Sequence, residues 1–267
     1  MPVAVAAEVK PMSQEEFYEL DYQVMGLVFD VHNDLGPLCD ERIYQDELAR
    51  RCRRAGIEDV LTEVPILVSH KDFSKKYYMD MLARGGGVYE LKTVRSLAPE
   101  HKSQALHYLL LTGLTHGKLL NMRTPAVQHH FISTSLTPQD RHSYRIDDRE
   151  WQGTDNGSKE FRLLLADLLS DWGAFLDIGL FYEAVVHFRG GEDSVVKRID
   201  VVSNSRVIGT QRAHLLTPST AFRISAVHRS PQSFEEHLRR LLSHTRLRAI
   251  QWVNLNRHTI TFKTLLR

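Results

Sequence analysis

Apolar residues at Val24, Leu27, Val28, Val31 and Leu35 recur at helical spacing and predict an amphipathic helix that Gly36 and Pro37 terminate. Ser13 followed by Glu16 marks its start with a capping-box signature. A second helix is predicted over about residues 40–54, stopping at Gly56, with Ile43, Leu48 and Cys52 toward the core and Glu41 and Tyr44 three apart on one side. Residues 63–69, EVPILVS, form a β-branched run with a proline near its start, which suits an edge or entry strand. Residues 77–93, YYMDMLARGGGVYELKT, read as two short strands joined by a tight turn, with Gly85, Gly86 and Gly87 expected to supply positive-φ freedom. Pro99 and Glu100 open a helix through Leu111 whose buried stripe is Leu106, Leu109 and Leu110, with Gln104 and Tyr108 four apart on the neighbouring stripe. Residues 118–122 and 127–134 read as strands, which completes an α/β sandwich unit. Residues 1–12 read as a loose leader, and the polar, turn-forming residues 136–158 read as a linker.

Beyond the linker the pattern returns. Residues 102–122 lie without gaps over residues 235–255, matching Leu109 with Leu242, Thr112 with Thr245, Leu114 with Leu247 and Asn121 with Asn254. The same offset of 133 lays VYELKTV over AFRISAV with the hydrophobic pattern kept, and a four-residue adjustment brings Gly36 onto Gly173 and Tyr44 onto Phe181. Two tandem copies of one fold explain this most economically, over residues 13–135 and 159–267. The polar positions do not follow the repeat. Glu41 faces Ile178, Asp80 faces Ala213, Glu90 faces Arg223, Lys92 faces Ser225, and Gln104 faces His237. A polar set replaced together, on a retained apolar frame, is expected of a functional unit in the first copy.

Composition narrows the class. With 42% hydrophobic and 25% charged residues over 267 positions, the chain reads as soluble and globular. It has no apolar run near the roughly 20 residues that span a bilayer, and its start is too short in apolar length and too poor in positive charge for a signal peptide. Cys39 and Cys52 are the only cysteines, which excludes a disulfide framework and a four-cysteine metal site and makes a reducing cytoplasm the expected location. There is no Walker loop. The net charge of +1 is unevenly spread: residues 159–267 hold 16 Lys and Arg against 10 Asp and Glu, and the rest hold 18 against 23. The second copy is therefore the expected partner of a polyanion, and Arg239 and Arg240 are candidates for its backbone phosphates, a solvated helix face being the equal alternative. His129, His130, His237 and His244 lack acids or cysteines at ligand spacing and are read as structural or surface residues, while Trp172 and Trp252 are read as core.

The candidate chemistry lies on the hairpin. Residues two apart on a strand share a face, so Glu90 and Lys92 point together while Leu91 points inward. Antiparallel pairing then brings Asp80 beside Glu90, so that two carboxylates and an ammonium converge where a divalent cation and a water can be held. The alternative is a solvated face with an ion pair worth at most about 1 kcal/mol.

DLGPLCDERIY at the helix, Asp80, YELKTV with Glu90 and Lys92, and QALHY with its Gln-x-x-x-Tyr spacing together resemble the GxxExxxY group of the PD-(D/E)XK nuclease superfamily, which is RecB-like. The likeness covers roughly residues 15–135, and the second copy resembles the same fold in degenerate form. Leu38 stands where members usually carry glycine, and Met79 stands in place of the superfamily's proline. The lack of a cysteine cluster excludes the iron–sulfur variety. The resemblance implies tandem restriction-endonuclease-like α/β sandwich units, each with a mixed central sheet flanked by helices. It implies a nuclease that hydrolyses nucleic-acid phosphodiesters, DNA before RNA, with Mg²⁺ or Mn²⁺. Asp80, Glu90 and the Leu91 carbonyl would hold the ion, Glu41 a second ion or its water, Lys92 would orient the attacking water, and Gln104 and Tyr108 would position the strand. The second copy would be an inactive structural or substrate-binding partner, no membrane is expected, and a homodimer or other protein partner is left open. The competing reading is a non-catalytic nucleic-acid-binding or assembly scaffold in which the same charges form a structural ion-pair cluster.

Overall fold

The structure, a computed structural model, describes residues 2–267. The chain divides into two compact units, the first ending at Pro138 and the second running Gln139–Arg267.

The first unit runs β1 (Val3–Val5), α1 (Gln14–Leu35), α2 (Glu41–Arg54), β2 (Leu61–His70), β3 (Phe73–Ala83), β4 (Gly87–Lys92), α3 (Pro99–Thr112), β5 (His116–Asn121) and β6 (Gln128–Ser133). Its six-stranded sheet has the order β1-β2-β3-β4-β5-β6. Neighbours are antiparallel except for β4 and β5, which α3 joins as a parallel pair. Helix α1 starts on the predicted capping box, with the Glu16 amide donating to Ser13 Oγ at 3.2 Å and the Ser13 amide to Glu16 Oε2 at 2.7 Å. Phe17, Leu20, Val24, Val28 and Val31 on α1 are wholly buried against Tyr44, Leu48 and Cys52 of α2 and Met81, Tyr89 and Leu91 of the sheet. Burial of each such large side chain stabilises the unit by roughly 1.5–3 kcal/mol.

Three expectations are corrected here. Residues 1–12, read as a loose leader, are built in from residue 2 onward, residue 1 lying outside the described residues: β1 adds an antiparallel edge strand to β2, and the Lys10 amide donates to the Gly85 carbonyl at 2.8 Å. That passage explains the glycine turn differently from the prediction. Only Gly85 of the three has positive φ, at 65°. Gly86 is needed because a Cβ there would stand 2.5 Å from the Lys10 carbonyl oxygen, and Gly87 because one would stand 2.6 Å from Leu20 Cδ2. Ile43, expected in the core, is 49% exposed. The inward position on that turn is taken by Tyr44, whose hydroxyl donates to the Gly36 carbonyl and accepts from the Cys39 amide, pinning the loop ahead of α2.

A short helix, α4 (Pro138–His142), and β7 (Arg145–Glu150) occupy the segment read as a linker. Strand β7 escaped the pattern because its partner, not its own polar sequence, fixes it: it pairs in parallel with the last strand of the chain. The second unit continues with α5 (Asn156–Trp172), α6 (Ile178–Phe188), α7 (Glu192–Val195), β8 (Val196–Ser203), β9 (Arg206–Thr217), β10 (Thr220–Ser225), α8 (Pro231–Ser243), β11 (Ala249–Asn256) and β12 (Thr259–Leu266). Its sheet order is β7-β12-β11-β10-β9-β8.

Apart from the one-turn helix α7 of the second unit, two helices, three strands, a helix and two strands follow in the same order in both units, with β10 and β11 the parallel pair joined by α8. The registers agree residue for residue at the sequence offset: Lys92 pairs with Asn121 in one sheet and Ser225 with Asn254 in the other. Each asparagine then clamps the chain leaving the first strand of its pair. Asn121 accepts from the Val94 amide at 3.1 Å and donates to its carbonyl at 2.8 Å, and Asn254 does the same to Val227 at 2.8 and 3.0 Å. Trp172 and Trp252 are both buried, as expected of core residues. Among the described residues, no helix is long and apolar enough to cross a membrane.

Candidate active site

The β3–β4 hairpin and the first turn of α2 meet in the first unit. Pairing of Met81 with Tyr89 sets Asp80 and Glu90 on neighbouring strands, and the period-two alternation of β4 turns Glu90 and Lys92 to the same side. Lys92 Nζ is the point of convergence. It lies 2.8 Å from Glu90 Oε1, 3.9 Å from Asp80 Oδ2 and 4.0 Å from Glu41 Oε1. Asp80 is held by the Leu91 amide, which donates to Oδ2 at 2.7 Å, and Glu41 by the Thr93 amide, which donates to Oε2 at 2.9 Å. Leu91 itself is wholly buried, with its side chain in the core.

Burial sets the electrostatics. Glu90 is 1% exposed, and desolvation, reinforced by the Asp80 charge and opposed by Lys92, pushes its carboxyl up to about 8. Desolvation likewise lifts Asp80 to about 6 against the pull of Lys92 and the Leu91 amide. Burial works to lower the Lys92 ammonium, but Glu90, Asp80 and Glu41 together raise it above its ordinary value. Three acids thus face one cation, and Glu90 Oε2 is buried with no hydrogen-bond partner among the described residues. An unpaired carboxylate oxygen in such a place is costly until something positive reaches it.

Gln104 and Tyr108 stand on α3 with Gln104 Nε2 donating to the Tyr108 hydroxyl at 2.8 Å. Burial pushes the Tyr108 phenol up to about 12, with Glu90 and Asp80 adding to the rise, so it stays a donor at neutral pH. Arg239 and Arg240 belong to the exposed side of α8, where each faces an acid one turn back, at 2.8 Å from Glu235 and 3.8 Å from Glu236. Those pairs are the solvated arrangement that contributes tenths of a kcal/mol.

Sequence reasoning passed over Gln45. Buried on α2, it donates from Nε2 to the Asp80 carbonyl at 2.6 Å and to Glu63 Oε1 at 2.8 Å. It thereby fixes the backbone that carries Asp80. Its position one residue past Tyr44, on the helix that presents Glu41, was the available signal.

The donor set suits a hard divalent cation, since it consists of carboxylate oxygens with one of them orphaned. Among the described residues no group of three acidic, histidine or cysteine side chains is already gathered at metal-binding spacing. The Lys92 ammonium occupies the meeting point and provides the positive charge there. No curated protein and no solved structure matches the chain. A family model does: residues 18–132, which hold this whole constellation, match that of the PD-(D/E)XK nuclease superfamily.

Proposed function

We propose that the first unit hydrolyses nucleic-acid phosphodiester bonds, in DNA before RNA, with Mg²⁺ or Mn²⁺, and that the second unit is a copy of the same fold that has lost the chemistry and serves as its structural or substrate-binding partner. The observation that carries the reading is the convergence of Glu41, Asp80 and Glu90 on Lys92, with one Glu90 oxygen buried and unpartnered among the described residues. The family match over residues 18–132 supports it, as does the agreement of strand registers between the two units.

Asp80, Glu90 and the Leu91 carbonyl would hold the ion, with Glu41 at a second ion or its water. When bound, the ion supplies a water of lowered pKa and positive charge against the pentacovalent phosphorus. The protein's own groups do the rest. Lys92, charged at any physiological pH because three acids raise its pKa, directs its N–H donors at the attacking water and offsets charge on the phosphate. The Leu91 and Thr93 amides fix the Asp80 and Glu41 carboxylates before substrate arrives. Tyr108, oriented by Gln104, donates its phenolic hydrogen to the strand being cut.

The scaffold reading draws on one observation, the 2.8 Å pairing of Lys92 with Glu90, which already neutralises part of the cluster. A cleavage assay on labelled single-stranded DNA, duplex DNA and RNA separates the two. The nuclease reading expects cutting of DNA that needs Mn²⁺ or Mg²⁺, stops with chelator, and falls at least a hundredfold in Lys92→Ala. Intact substrates throughout the panel, with either metal, would leave the scaffold.

A further inference from the structure

In the second unit a cavity of about 270 Å³ occupies the place that the carboxylate site holds in the first. Ala213, Arg223, His237 and Leu241 line it, and these are the residues found 133 positions after Asp80, Glu90, Gln104 and Tyr108.

Two differences at equivalent positions open the space and reverse its charge. The carboxylate side chain at position 80 becomes a methyl group at Ala213. The structural duty of that carboxylate has moved elsewhere: the amide of Ile224, equivalent to that of Leu91, now donates at 2.9 Å to the hydroxyl of Tyr182 on α6, so β10 is secured without any group inside the cavity. Glutamate 90 becomes Arg223, which forms no ion pair among the described residues, whereas its neighbour Arg212 is paired with Glu192. No acidic residue is found among the cavity's lining, which contains two arginines and two histidines. Burial first, then Arg223 and Arg212, hold the His214 imidazole below its ordinary pKa, with Glu192 opposing them. The floor is apolar, with Phe222, Leu238, Leu247 and Ile250 each less than 9% exposed.

We propose that this cavity is a binding site for a small organic oxyanion, a phosphate or carboxylate carried on a single apolar ring. A guanidinium without an acid partner matches an oxyanion in both charge and hydrogen-bond geometry. The volume equals roughly nine waters' share of liquid, at about 30 Å³ each, which admits one ring with its anionic group and excludes a folded polymer. An apolar floor beside a few convergent polar groups is the usual make-up of a ligand site.

Calorimetry on the full chain with phenyl phosphate, benzoate and inorganic phosphate tests this. One equivalent of a ring-bearing oxyanion should bind, at least tenfold more tightly than inorganic phosphate, and the preferred probe tells phosphate from carboxylate. Arg223→Glu should weaken binding at least tenfold and Ala213→Phe, which fills the cavity, should abolish it, each with melting behaviour showing an intact fold. Glu90→Gln in the first unit should leave binding unchanged, since Glu90 is not among the residues that line the cavity. Saturation by none of the ring-bearing probes, equal affinity for inorganic phosphate, or affinity untouched by both second-unit variants would overturn the assignment.

Discussion

Replacing Glu90 with glutamine should stabilise the chain at alkaline pH while removing its activity. The buried carboxyl titrates at about 8 instead of 4.5. Between those values the folded chain keeps a proton that the unfolded chain releases, so the folded state binds more protons and stability falls as pH rises. Asp80, lifted to about 6, adds a loss of the same sign at lower pH. Lys92, raised in the fold, contributes stability that persists up to its unfolded pKa and so leaves this window unchanged. At about 1.4 kcal/mol per pH unit the Glu90 displacement corresponds to an upper limit on the order of 5 kcal/mol. Relaxation around the cluster brings the expected gain to about 2–3 kcal/mol, or roughly 5–10 °C in melting temperature for a unit of this size. Thermal melts of wild type and Glu90→Gln from pH 5 to 9, without metal, provide the assay. The two should melt together near pH 5 and diverge toward pH 9, with the variant higher, and Mn²⁺ at pH 8 should raise only the wild type. Parallel curves across the range, or a variant that melts lower at pH 9, would refute the account of Glu90 as an acid ionised against its surroundings.

Gly86→Ala places a Cβ 2.5 Å from the Lys10 carbonyl oxygen, so melting should reveal a loss of about 1–3 kcal/mol, typical of overpacking. Gln45→Leu removes both hydrogen bonds from its amide nitrogen, including the one to the Asp80 carbonyl. It should lower kcat for DNA cleavage by at least tenfold, while far-ultraviolet circular dichroism stays that of wild type. Tyr182→Phe strands the buried Ile224 amide, and urea unfolding should register a loss of about 1–3 kcal/mol.

How far the sequence revealed this molecule depended on whether a residue's role was local. Ser13 and Glu16 cap α1 through bonds three residues apart. Glu90 and Lys92 share a face by strand periodicity alone, and the hairpin brings Asp80 to Glu90. Strand β1, three residues long, and β7, polar except for Ile146, owe their existence to the strands they pair with, and no periodicity within either could announce them. Gln45 and Tyr182 lie on equivalent helices, and each supports the second strand of its hairpin or the one before it through a contact 35 or 42 residues away in sequence. Their side chains are ordinary for a helix, so only the fold reveals their purpose. The sequence offset showed that polar positions differ between the two units; the fold adds that the Leu91 amide is held by Asp80 on the neighbouring strand, whereas the Ile224 amide is held by Tyr182 on a helix.

The central claim is that the three acids around Lys92 form a cation site. Crystals of the full chain soaked in Mn²⁺ and measured at the manganese edge test it directly. The account predicts an anomalous peak between Asp80 and Glu90, in contact with the Glu90 oxygen that has no partner among the described residues, and no such peak in Glu90→Gln. A featureless map at that point, with Lys92 still 2.8 Å from Glu90, would contradict it.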